Sequence, residues 1–189
     1  MKQKRSKIIA AGILLTAIVL VIFSIMSRFS YKETSIKRPR NAYKKKIEQF
    51  KSATDKDGDG IDDQSDILKS ALEYIQTKPK YESRYYIGGS PDDGYGVCTD
   101  VVAMGLKGAG YDLQKLVAED IKEHKDDYDI KVADSNIDYR RVRNLQVYFK
   151  NNTKSLSTDI SKIEEWQGGD IVIFKKHIGI VSDRRDKNG

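Results

Sequence analysis

The chain holds one cysteine and two histidines, so the search for a nucleophile and a base is short. A thiol becomes a useful nucleophile when ionised, and a helix N-terminus or a neighbouring imidazole favours that state. Cys98 follows the Gly-, Pro- and Tyr-rich stretch KPKYESRYYIGGSPDDGYG and precedes a run with helical apolar spacing. This pattern predicts a loop up to Val97 and a helix starting near Cys98. His124 lies in KEHKDDYD, a charged helix end where a solvated imidazole is expected. His177 instead opens the β-rich run HIGIVS. A histidine at a strand start beside a helix-terminal cysteine can take the thiol proton and later return it to a leaving amine. The competing reading of Cys98 is a buried structural residue.

A second constellation is DKDGDGIDDQSD, in which Asp55, Asp57, Asp59, Asp63 and Asp66 fall at positions 1, 3, 5, 9 and 12 of a calcium loop, with Gly60 at position 6. Oxygen ligands at alternate residues suit a hard cation. Asp66 replaces the usual bidentate glutamate and Ile61 sits one place early, so weak affinity, suited to extracellular calcium, is expected. The same residues also read as an Asp/Gly turn capping the next helix, and both readings stay open. Catalysis itself calls for no cofactor. Arg140 and Arg141, just after Asp138, could hold a substrate carboxylate through a bidentate contact or form surface salt bridges.

The elements that must position these groups follow from periodicity. Ile67, Leu68, Ala71, Leu72 and Ile75 mark a helix capped by Ser65 or Asp66. Further helices are expected from Cys98 to Gly108 or Gly110, from Asp112 to about Lys125, and from Asp138 to about Lys150. GDIVIF and HIGIVS, separated by Lys175 and Lys176, read as a hairpin. Helices followed by antiparallel strands predict an α+β domain and argue against a doubly wound parallel sheet.

Upstream, Ile8 to Met26 form an apolar run without charge or proline, long enough to cross a bilayer core. Its end carries no A-x-A site, which favours a single uncleaved transmembrane anchor over a removed signal peptide. The expected organisation is a cytoplasmic tail at 1–7, an anchor at 8–26, a basic linker at 27–53 and one domain at 54–189. The domain is expected outside the cell membrane, because moving the compact basic tail across would be unfavourable. A net charge of +6 and a pI near 9.2 reflect the basic residues between Arg28 and Lys51. These suit anionic lipid or wall polymer, and nothing reads as nucleic-acid recognition. A lone cysteine excludes an intramolecular disulfide. Oligomeric state is not legible.

Taken together, YYIGGSPDDGYGVCTDVV and WQGGDIVIFKKHIGIVSD resemble the signature of NlpC-type papain-like cell-wall peptidases and amidases. More narrowly, GIDDQSDIL, DDGYGVCTDVV, DLQKLVAEDI, DSNIDYRR and KHIGIVSDRR resemble a bacterial branch of that superfamily catalogued as a domain of unknown function, over about Asp59 to Gly189. The resemblance implies a papain-like domain, with helices packed on an antiparallel sheet, that cuts an amide bond of the cell wall. It implies Cys98 as nucleophile, His177 as base and Tyr85 as the tyrosine before the Gly-Gly loop, with Tyr86 as a shifted match. The superfamily's Asp before and Ser after the cysteine are here Val97 and Thr99, with Asp100 displaced. Asp100 joins Arg140 and Arg141 as a candidate substrate-binding residue. The polar group that orients the imidazole would lie beyond Gly189, so a fragment is expected. Permuted lipid-modifying relatives are rejected, because no histidine precedes Cys98. Transglutaminase-like acyl transfer and a non-enzymatic calcium-binding surface module are the alternatives.

Overall fold

The computed structural model describes Arg38 and residues 40–189. The predicted membrane anchor lies outside the described residues, and among those described no helix is long and apolar enough to cross a membrane. Residues 40–189 form an α+β unit with four α-helices and two small two-stranded sheets.

Helix α1 spans Asp63–Gln76. It starts earlier than its apolar spacing suggests. Asp62, rather than Ser65 or Asp66, turns its carboxylate to the Ser65 N–H at 3.2 Å and accepts the Ser65 hydroxyl at 2.7 Å. Asp63 and Asp66 then fall in the first turn, where the helix dipole favours negative charge. The segment after α1 contains a short parallel pairing, with β1 at Lys80–Tyr81 matched to β2 at Tyr95–Gly96. Helix α2, Cys98–Gly108, follows one residue later. Its N-cap, Val97, has no capping side chain, so Asp100 reaches back to accept the Val97 N–H at 2.7 Å.

Helix α3, Leu113–Glu123, is capped by Asp112, which accepts the Lys115 N–H at 3.0 Å. The helix expected from Asp138 is divided into a 3-10 turn at Asp138–Arg140 and helix α4 at Val142–Asn152. The Asn144 side-chain amide donates to the Asp138 carbonyl at 3.0 Å, occupying the acceptor that a continuous helix would offer to residue 142. The hairpin forms as expected, with β3 at Ile171–Phe174 antiparallel to β4 at His177–Ile180 and Phe174 opposite His177.

One apolar core joins these pieces. Val102 and Leu106 of α2, Leu113, Val117 and Ile121 of α3, Leu145 and Phe149 of α4, and Ile178 of β4 are all buried in it. Helices α1 and α2 pack closely because Gly105 has no side chain: a Cβ there would come within 2.9 Å of both the Ile67 carbonyl and the Ile180 side chain. The latter half of the predicted linker lies along this unit. The Ala42 N–H donates to the Arg185 carbonyl at 2.8 Å, and the Gln167 side chain accepts the Phe50 N–H at 3.1 Å.

Candidate active site

Cys98 is the first residue of α2, half-buried against the core. Unpaired N–H groups of a first helical turn give such a position a positive field. The directions of the surrounding elements fix what lies near it. The Tyr74 hydroxyl abuts Gly96 at the start of α2, whereas Ser70 and the Asp66 carbonyl abut Gly108 at its end, so α1 and α2 are antiparallel. The open end of the β3–β4 hairpin sits at the α1 N-terminus, where the Gln64 amide donates to the Gly168 carbonyl at 3.0 Å and to Asp170 at 2.8 Å. Strand β4 therefore runs along α2 in the same sense, with Ile180 against Gly105. Gly105 lies about 10 Å along the helix from Cys98, and His177 lies about 10 Å along the strand from Ile180. His177 therefore lies toward the end of α2 that begins with Cys98. The His177 side chain is exposed, and among the described residues no hydrogen bond joins its ring to the thiol or to an orienting group.

A third group at the thiol is one that sequence reasoning missed. Parallel pairing of β1 with β2 sets Tyr81 opposite Gly96, two residues before the cysteine. The residue is 61% exposed, and partial burial of its hydroxyl, followed by the neighbouring Cys98 thiol, pushes the phenol pKa up. The signal available in the sequence was Tyr81 itself, at the far end of the same loop. Recognising it required the β1–β2 pairing, which two-residue strands do not announce.

Tyr85 is exposed and engaged elsewhere. Its hydroxyl donates to Asp134 at 3.1 Å and accepts from Asn136 at 3.1 Å, while Asn136 also accepts the Gly88 N–H at 3.0 Å. These contacts latch the Gly-Gly loop to the segment before α4. Tyr86 is buried and donates to Asp93 at 2.8 Å, with its ring 5.0 Å from the Arg140 guanidinium.

Asp100 and Arg140 are placed together as a buried ion pair, with both side chains 1% exposed. Arg140 donates Nε to Oδ1 at 2.6 Å and Nη2 to Oδ2 at 2.9 Å. Its third nitrogen reaches the Arg84 carbonyl at 2.6 Å, and its own carbonyl accepts the Thr99 hydroxyl at 3.2 Å. Burial disfavours the guanidinium charge, but Asp100 outweighs that and raises the Arg140 pKa. Each guanidinium nitrogen of Arg140 thus makes a hydrogen bond within the protein, and the pair holds the first turn of α2. Arg141 is exposed. His124 caps the end of α3 at 3.0 Å from Asp120 and is half-exposed, away from the cysteine. Nor does the cavity of about 410 Å³ bordered by Ser90, Met104, Lys107 and Tyr139 reach Cys98 or His177. The exposed Phe174 is paired opposite His177 across the hairpin.

Residues 68–189 match the family described as a domain of unknown function, DUF1287. The chain belongs to this family. Among curated proteins it is similar to the uncharacterized protein YijF of Escherichia coli, with 39% identity over 120 residues, covering 59% of this chain and 58% of YijF. The match thus spans less than two thirds of that relative's length. No solved structure matches. The DUF1287 region includes Tyr81, Cys98, Asp100, Arg140 and His177, and begins after the acidic loop at Asp55–Asp66.

Proposed function

We propose that this DUF1287 protein is a cysteine amidase or peptidase of the NlpC-like, papain-like kind, tethered to the cell membrane and facing the cell wall. The observation that supports the reading is the shared direction of β4 and α2, with His177 toward the end of the helix that begins with Cys98. His177 takes the thiol proton as Cys98 sulfur bonds to the amide carbon. Collapse of the tetrahedral intermediate breaks the C–N bond, and the protonated imidazole gives its proton to the departing amine. Water then attacks the resulting thioester with His177 as base, releasing the acid and restoring the thiol. The developing oxyanion is met by the Cys98 N–H at the helix start and by the Tyr81 hydroxyl from the neighbouring β1.

The basic stretch preceding the domain favours proximity to anionic lipid or wall polymer. The reading is tested by incubating the full chain, in detergent, with purified cell-wall material and following new amino groups by mass spectrometry. Release of amines is expected, and Tyr81→Phe, which keeps the ring but removes the donor, should slow it about 100-fold. An unaltered wall would sink the substrate assignment. Undiminished release by Tyr81→Phe would remove that hydroxyl from the mechanism.

A further inference from the structure

The acidic loop ahead of α1 plays no part in the proposed hydrolysis, yet its charges are gathered in one place. Asp55, Asp57 and Asp59 are exposed and each offers a carboxylate oxygen within 4.8 Å of the others. The loop amides hold them from below: Asp55 accepts the Gly58 and Gly60 N–H groups at 2.7 and 2.9 Å, and Asp59 accepts the Ile61 N–H at 2.8 Å. Gly60, at φ +90°, makes the turn that returns the chain toward α1.

An independent observation comes from α1. Asp66 in its first turn is 3% exposed, and its Oδ2 is buried without a hydrogen-bond partner. A buried carboxylate oxygen left unpaired is costly. Burial first, and then the charges of Asp59 and Asp57, push the Asp66 pKa up, against a smaller opposing effect of Lys69. The adjacent Asp63 differs. Its oxygens already accept the Thr54 hydroxyl at 2.6 Å, the Lys56 N–H at 2.7 Å and the Tyr111 hydroxyl at 2.6 Å, so it folds the loop onto the domain.

We infer that Asp55, Asp57 and Asp59 of the loop, with the unpartnered carboxylate of Asp66 in α1, form a calcium site, while Asp63 organises the loop around it. Four carboxylates suit Ca²⁺, which accepts a flexible all-oxygen shell, better than Mg²⁺, which retains water and demands a strict octahedron. The ion ties the loop to the N-terminus of α1. It also braces the far end of α2, where Asp57 packs against Gly110.

The test uses the full chain in detergent, stripped with EDTA and titrated with CaCl2 by calorimetry and by thermal melting. Saturable one-to-one binding is expected, with a Kd of roughly 10⁻⁴–10⁻³ M and a Tm rise of about 4 °C at ~5 mM CaCl2. Asp57→Asn with Asp59→Asn keeps the acceptors for the loop amides but removes two charges, and should abolish both signals while far-UV circular dichroism is unchanged. If that double variant unfolds, the single exposed change Asp57→Asn carries the same expectation as at least tenfold weaker binding. No saturable heat for the unaltered chain, or unchanged affinity in these variants, would overturn the site. An equal response to MgCl2 would overturn its assignment to calcium.

Discussion

Replacing Cys98 by alanine is expected to reduce amide cleavage on the order of 10⁴-fold or more while leaving the domain folded. The nucleophile of a covalent mechanism has no substitute, because alanine offers no atom to form the thioester. The structural role of the side chain is small by comparison: Cys98 is only half-buried at the rim of the core, and its helix is held by Asp100 and Arg140 rather than by the thiol. Far-UV circular dichroism and the Tm should therefore stay near those of the unaltered chain. Rates come from amine release by purified wall material under identical loading. Turnover retained by Cys98→Ala would place the chemistry on other residues.

Arg140→Ala should lower the unfolding free energy by about 3–5 kcal/mol, because it leaves the Asp100 carboxylate buried and charged without its partner. That is a large share of the roughly 5–15 kcal/mol available to a domain of this size. The loss also reaches the site. Asp100 accepts the Val97 N–H, and the Arg140 carbonyl holds Thr99, so the residues on both sides of the nucleophile depend on this pair. Urea unfolding followed by circular dichroism measures the change. Combining Arg140→Met with Asp100→Asn should recover part of it, since no buried charge then stands alone. A loss below about 1 kcal/mol for Arg140→Ala would mean that water reaches the pair and that it supports little.

Periodicity made the helices legible, because the apolar stripes of α2 and α3 face a single core. The β3–β4 hairpin was equally plain, as its β-rich runs flank two lysines. Neither the early start of α1 nor the break before α4 could be read, for in each case a side chain takes the place of a backbone partner: Asp62 caps one, and Asn144 diverts an acceptor in the other. Cys98 and His177 stood out as rare residue types at element starts. Tyr81 did not, since its place depends on a two-residue pairing across a loop. Asp100 and Arg140 read as candidate substrate-binding groups, because nothing local records that residues 40 positions apart will bury one another.

The central claim is that the Cys98 thiol and the His177 imidazole act as a pair, and the rate of Cys98 alkylation against pH tests it without knowledge of the substrate. Measured on the full chain in detergent, with His177→Ala alongside, the account predicts a reactive thiolate whose apparent pKa lies well below the free value of about 8.5 and rises when the imidazole is removed. A slowly alkylated thiol with an ordinary or raised pKa, indifferent to His177→Ala, would contradict it.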